Sequence, residues 1–339
     1  MRWPWQRKTS ADRLVMACGD DGFVYLQAQG RRIVRCGIEL GDDKDSSALA
    51  RRVRALGLPA QGAVAVLALA DAQLLQIEAP AVQPEELRAA ARWRIKDLVE
   101  THLDDLTLDV MHVGDSRPKA QRQLFVVAAS SKRVRELSEW SQGVRLQLAV
   151  IDIREATQRN LQNAWAAART APGRATAALM LHGTQCLLTI CAAGELFYAR
   201  RLEWKTQWLD AAGPSAAPNR QDRPLSGFAD LDIVDYSDDA YAEPGAAADV
   251  PPLVLELQRS FDVWERSWTD LPLERLVVYA NGHTVALVAL LAPVMPIPVE
   301  ALDIEALFPG FGAAAGSAEL ASAAVPLLGA LLRSDARQA

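Results

Sequence analysis

The chain has 339 residues, half of them apolar and 23% charged, with a formal net charge of −6. That length supplies ample core for one large or two ordinary domains, and the composition excludes a disordered chain. The acidic balance argues against general nucleic-acid binding, which needs a basic footprint.

Residues 1–10, MRWPWQRKTS, lack the apolar core of a signal peptide, so a cytoplasmic protein is expected. The stretch reads as a flexible basic and aromatic terminus, with contact between Trp3, Trp5 and an anionic surface as the alternative. Over 13–39 apolar runs flank Gly19-Asp20-Asp21-Gly22, a hairpin signal, and predict two or three strands. A short basic helix over 48–56 ends at Gly57, and 62–78 reads as one further strand. Pro84, Glu85 and Glu86 mark a helix start. That helix is expected to run to about residue 100 with Leu87, Ala91, Ile95 and Leu98 as its core face. Arg88, Arg92 and Lys96 recur every four residues as a basic stripe, and Trp93 points off the core face. A Trp flanked by basic groups suits a partner contact; packing under a neighbouring strand is the alternative.

A strand over 124–130 precedes a helix through Val134, Leu137 and Trp140, and Val144, Leu146, Leu148 and Val150 alternate as a strand. Asp152 and Glu155 have the spacing of an N-cap and its capping-box partner, opening a helix to about residue 168. Residues 177–190 read as strand, glycine turn and strand, and 195–199 continue the meander. Residues 209–251, rich in Ala, Pro, Asp and Gly, read as a mobile insertion. Leu253, Leu257, Phe261, Trp264 and Trp268 then fall on one face of a helix, with Glu256, Arg259, Asp262 and Arg266 opposite. A buried strand over 276–279 leads into Ala280-Asn281-Gly282-His283-Thr284, where Gly282 is expected to take a positive φ and leave the next helix N-terminus open. The apolar run 285–299 is broken by Pro293, Pro296 and Pro298, and no run reaches the roughly 18 residues of a membrane span. An Ala- and Leu-rich helix over 316–332 closes the chain. The four cysteines stand singly and the four histidines are scattered, so core thiols are expected ahead of a zinc site.

Two stretches carry a family resemblance. EELRAAARWRIKDLVETHLDDLTLDVMHV, and ELQRSFDVWERSW followed by LVVYANG, resemble PilM-type proteins, the actin-like cytoplasmic components of type IV pilus assembly. Within that group the wording is most similar to MshI-type proteins of mannose-sensitive haemagglutinin (MSHA) pilus systems. The resemblance implies an α/β, actin-like ATPase (ribonuclease H-like) two-lobed fold with an FtsA/PilM-type extra subdomain. The first lobe would comprise 11–61 and 144–172, the extra subdomain 62–143, and the second lobe 173–333. It further implies a partner: the N-terminal cytoplasmic tail of a PilN-like bitopic inner-membrane protein, held in a groove between the first lobe and the extra subdomain. Arg88, Arg92, Trp93 and Lys96 are the candidate contributors. The chain would lie in the cytoplasm, peripheral to the inner membrane, linking that partner to the assembly motor. The sequence leaves self-association open.

Actin-like ATPases hold MgATP with two phosphate loops and an adenosine loop. A triphosphate needs its charge met by Mg2+, N–H donors and usually a Lys. The first loop of active PilM-like proteins resembles D-I-G-S-S-S-V-K; aligned on Gly19, this chain has Ala17 at the Asp, Val24 at the Lys, and Asp20, Asp21 and Gly22 at the serines. The second loop reads Leu181-His182-Gly183-Thr184, again without its Asp, and the adenosine loop keeps Asn281-Gly282. The expectation is a degenerate fold without ATP turnover, not an enzyme, with no cofactor, no metal and no catalytic residue. In this it also resembles the cytoplasmic domain of GspL proteins of type II secretion. The alternative is an ATP-binding switch with Mg2+, using Asp20 or Asp21 for the metal-water shell and Gly19, Gly183, Thr184, Asn281 and Gly282 as nucleotide contacts. A sugar kinase of this fold would need a general-base Asp that both loops lack. G-x-S-x-G, P-loop and H-E-x-x-H motifs are absent, and the glycine run 310–316 follows Phe308-Pro309, not a strand.

Overall fold

The computed structural model describes residues 13–19, 22–41, 46–113, 123–210 and 251–333. The expectations for 1–10, for Asp20 and Asp21, and for most of the 209–251 insertion lie outside these residues.

Strands β1 (Arg13–Gly19), β2 (Gly22–Gln29) and β3 (Arg32–Leu40) form an antiparallel meander, backed by helix α1 (Ser46–Ala55). β4 (Ala63–Val66) then pairs parallel to β1. Here the sequence reading needs correction. The run 62–78 is two strands in different sheets: a tight turn at Leu69–Asp71, unmarked by Gly or Pro, separates β4 from β5 (Ala72–Glu78). β4 therefore belongs with the first lobe, and the chain leaves that lobe several residues after the expected boundary at 62.

β5 opens a small sheet that also contains β6 (Leu106–Val113) and β7 (Gln123–Ser130), in the order β5-β7-β6. Helix α2 (Leu87–Arg94) connects β5 to β6 and packs Leu87, Ala91 and Ile95 against Leu106, Leu108, Leu124, Val126 and Ala128. α2 stops well short of residue 100 and gives way to turns over 95–98. Leu98, expected in the core face, is 55% exposed. Helix α3 (Ser131–Gly143), capped by the Ser130 hydroxyl, returns the chain to the first lobe. Val144 and Leu146 are buried there, but in a turn with Arg145 at φ 65°, so the strand β8 (Leu148–Asp152) starts later than the alternation predicts. β8 pairs parallel to β4 and completes the first sheet, β3-β2-β1-β4-β8.

Helix α4 (Arg154–Ala166) joins the lobes. The expected capping box is not formed. Asp152 is still in β8, opposite Val66, and its carboxylate accepts from the Ile153 N–H and from Arg333. Glu155 turns inward to Arg201. Along α4, Gln158 and Gln162 donate into the second sheet, to the carbonyls of Ala178, Leu187 and Thr176.

The second lobe repeats the first. β9 (Ala175–His182), β10 (Gln185–Ala192) and β11 (Glu195–Glu203) form a meander; the four-residue α5 (Gln207–Asp210) and α6 (Pro252–Ser267) follow. β12 (Leu273–Tyr279) then pairs parallel to β9. α6 buries Leu253, Leu257, Phe261 and Trp264 as its spacing predicts, and the Trp264 indole N–H donates to the Leu271 carbonyl at 2.9 Å. α7 (Thr284–Leu291) and β13 (Val299–Ala301) give the order β11-β10-β9-β12-β13. The short helices α8 (Ile304–Leu307) and α9 (Phe311–Ala315) lead to α10 (Ala318–Leu331), the expected closing helix. α10 lies so close to α4 that a Cβ on Gly329 would stand 1.8 Å from the Thr157 carbonyl oxygen. Two sheets with the same strand order, joined by α4, with a three-stranded unit inserted between β4 and β8, make the actin-like, ribonuclease H-like fold with an FtsA/PilM-type extra subdomain. Among the described residues no helix is long and apolar enough to cross a membrane.

Candidate functional site

The hairpin ends of the two lobes lie near the start of α4: Arg133 donates to the Cys18 carbonyl of the first, and Gln158 of α4 meets His182 of the second. In the first hairpin Gly19 stands opposite Gly22 in the β1–β2 register. Gly22 has φ 138°, and a Cβ there would lie 2.2 Å from the Glu39 carbonyl oxygen, so β3 alone requires a glycine. Ala17, at the position of the family's Asp, packs against the core shared with α4 and α10. The Cys18 carbonyl accepts from Arg133 of α3, whose Nε also donates to Asp71 at 3.2 Å.

In the second hairpin, Leu181 at the family's Asp position is buried in the second-lobe core. Gly183 takes φ 63° in an exposed two-residue turn with Thr184, whose carbonyl accepts from the Trp204 N–H. His182 turns inward, its Nε2 3.2 Å from Gln158 Oε1. The Gln158 amide nitrogen is committed to Ala178, Leu187 and Thr189, which assigns the Nε2–H to His182 and leaves Nδ1 as an acceptor with no partner among the described residues. Burial first, then the charges of Arg154 and Arg201, push the His182 pKa down to about 3. The imidazole is therefore neutral at physiological pH.

Between the hairpins the space is crossed by arginines. Arg201 of β11 donates to Glu155 at 2.9 Å, to the Ala72 carbonyl at 2.6 Å and to the Leu69 carbonyl, tying the second lobe to α4 and to the base of the extra subdomain. The Glu155 side chain is 3% exposed. Arg154 is half-buried beside it, its pKa lowered to about 10 chiefly by desolvation, with a buried Nη1 that has no partner among the described residues. Arg133, Arg154 and Arg201 thus share the junction with the carboxylates Asp71 and Glu155. Among the described residues, the two strand ends are apolar at Ala17 and Leu181, no group of three or more His, Cys, Asp or Glu could hold a metal ion, and Arg133 and Arg201 bond to protein carboxylates and carbonyls. None of these arginines stood out in the sequence, because they lie on α3, α4 and β11 and only the fold brings them together.

The adenosine-loop expectation is corrected in detail. Asn281, not Gly282, takes the positive φ, 52°. Asn tolerates this region, and Thr284 fixes the turn by donating to the Asn281 carbonyl and accepting from the Ala280 N–H. Asn281 Oδ1 is buried without a described partner, Gly282 is exposed, and His283 lies 6.3 Å from the Trp204 ring.

The partner residues expected on α2 separate into two places. Trp93 is 70% exposed; with Arg92, Lys96 and the turns at 99–104 it lines a recess of about 430 Å³. Arg92 is paired there with Asp104 at 2.7 Å. Arg88 instead reaches Asp109 at 3.2 Å. Asp109 belongs to the wall of a second groove, about 460 Å³, between the extra subdomain and the first lobe. β6 residues Asp109, Val110 and Met111 form one side of it, and β8 residues Ala149, Val150 and Ile151 the other. β6 and β8 are both outermost in their sheets, so two strand edges face this groove.

No family model and no curated protein matches the chain in sequence. Among solved structures, it is similar to a PilM-PilN type IV pilus biogenesis complex. The identity is 16% and the TM-score 0.65, covering 96% of this chain and 100% of the other. Weaker similarities include the cytoplasmic domain of EpsL, an inner-membrane component of the Vibrio cholerae type II secretion system, at 14% identity, TM-score 0.42 and coverage of 70% and 91%. A Bacteroides thetaiotaomicron protein with an actin-like ATPase fold and unknown function gives 8% identity, TM-score 0.48 and coverage of 88% and 94%. At such identities the likeness is one of fold.

Proposed function

We propose that the chain is a non-catalytic scaffold of a type IV, MSHA-like pilus assembly machine. It binds the N-terminal cytoplasmic tail of a PilN-like inner-membrane protein, lies peripheral to that membrane, and links the partner to the assembly motor. The observation that carries the reading is the lobe junction. Ala17 and Leu181 replace the acids, His182 is neutral, and Arg133 and Arg201 bond to protein carboxylates and carbonyls in the space between the hairpins. On this reading the described residues of the site supply neither a metal-water shell nor a general base. The whole-chain likeness to PilM in its complex with PilN supports the choice of system and partner.

The groove between β6 and β8 is the peptide's place. Both edges offer unpaired backbone groups, so an extended tail gains main-chain hydrogen bonds, with Val110, Met111 and Ile151 as apolar contacts. The test is calorimetric titration with a peptide matching the tail of a PilN-like protein from the same cell, using wild type, Ala149→Trp and Trp93→Ala. Ala149 is exposed, so the larger side chain fills the groove without disturbing the core. Binding lost in Ala149→Trp and kept in Trp93→Ala supports the groove; the reverse moves the site to the α2 recess. No heat with wild type would rule out the peptide-binding scaffold.

A further inference from the structure

The first-lobe sheet ends in β3, and the outer side of that strand is unusual. Of the ten exposed large hydrophobic residues among the described ones, Val34 (43%), Ile38 (41%) and Leu40 (65%) lie on this nine-residue edge strand. Cys36 is half-buried on the same face as Ile38, since the two stand opposite Leu26 and Val24 of β2. The other face carries Arg35, Gly37 and Glu39. Arg35 donates to the Leu56 carbonyl and Glu39 pairs with Arg52, so both charges are held near the sheet by α1 and the turn after it. Soluble proteins usually blunt an edge strand with charge, proline or a covering element. Among the described residues α9 and α10 pack on a face of β3 but no strand pairs with its outer edge; a bulge at Val34, which has no partner on β2, limits pairing at one end, and 35–40 stays regular with Cys36, Ile38 and Leu40 on one face.

We infer that β3 pairs antiparallel with β3 of a second copy of this chain, about a two-fold axis at Gly37, joining two five-stranded sheets into one. The register follows from geometry. In an antiparallel ladder, directly opposed residues either both turn their N–H and C=O toward the partner or both turn them away. A symmetric axis must then pass through a residue, not between two. An axis at Cys36 sets Arg35 against Gly37, and one at Ile38 sets Arg35 against Gly41. An axis at Gly37 sets Arg35 against Glu39 and Cys36 against Ile38 on both sides, with Leu40 covering Val34. Charge meets opposite charge on one face and apolar meets apolar on the other, which is the self-complementarity that a two-fold interface requires.

Sedimentation velocity over a concentration series on the full chain tests the pairing, with Ile38→Lys alongside. Ile38 is substantially exposed, so the variant is expected to melt like wild type. The wild type is expected to dimerise and Ile38→Lys to stay monomeric. A second arm reads the register. Ile38→Cys in the otherwise native chain is expected to form a covalent dimer with Cys36 on mild oxidation, whereas wild type and Cys36→Ser/Ile38→Cys form none. Opposed Cα atoms at ladder spacing lie within disulfide range. A monomeric wild type, or a dimer that Ile38→Lys leaves intact, would overturn the proposal. A dimer that Ile38→Lys splits but that never forms the 36–38 disulfide would overturn the register.

Discussion

Replacing Arg201 by Met removes the group on which the lobe junction turns. Glu155, with its side chain 3% exposed, loses its salt-bridge partner and keeps only the neighbouring charge of Arg154, and the Leu69 and Ala72 carbonyls lose their donor. Breaking a buried ion pair from one side costs about 3–5 kcal/mol because the other charge stays buried. The Arg201 side chain is 28% exposed, so water reaches part of the site and the lower end, about 3 kcal/mol, applies. For a chain of 339 residues that is a fall in melting temperature of about 4 °C. Arg201→Met/Glu155→Leu removes both charges and refills the volume, and should recover to within about 1 kcal/mol of wild type. Urea unfolding followed by tryptophan fluorescence, closed as a double-mutant cycle, measures both. A loss below about 1 kcal/mol for Arg201→Met, or a double variant as unstable as the sum of the singles, would refute the junction as a buried ionic tie.

His182 should make stability fall with acidity. Its folded pKa of about 3 lies below the ordinary histidine value of 6.5, so the unfolded chain binds the proton first and stability is lost as pH falls from 6.5 toward 3. Between pH 6.5 and 5 the residue accounts for about 2 kcal/mol, and His182→Gln should flatten the unfolding profile by that amount. Gly329→Ala drives a methyl into the Thr157 carbonyl, backbone against backbone; thermal melting should show a loss of about 3 kcal/mol or more, or a failure to fold. Trp93→Ala, at an exposed site, should change stability by less than about 0.5 kcal/mol in the same assay, so any loss of partner binding in that variant reports contact and not unfolding.

The parts of the fold written in local pattern were legible. Leu253, Leu257, Phe261 and Trp264 announce α6 by spacing alone, and the glycine turns at 19–22 and 183–184 mark the two hairpins that make the lobes look alike. What failed was information that is not local. The turn at Leu69–Asp71 is made of ordinary residues, so nothing in the sequence divides β4 from β5. Asp152 and Glu155 satisfy a capping rule, yet Arg333 and Arg201, 181 and 46 positions away, claim their carboxylates. Asn281 takes the strained backbone because Thr284 closes the turn around it, a detail that a neighbouring glycine hides. At the lobe junction the apolar residues Ala17 and Leu181 can be read from the sequence, but the arginines among which the hairpins meet are assembled only by the topology.

The central claim, a junction tied by the protein's own side chains in place of a nucleotide, is tested most directly by calorimetric titration of the full chain with MgATP, with Asp20→Ala/Asp21→Ala in parallel. The account predicts no heat of binding in either protein up to millimolar nucleotide. Micromolar binding by wild type that disappears in the double variant would contradict it, placing the metal-water shell on the first hairpin and making the chain a nucleotide-dependent switch.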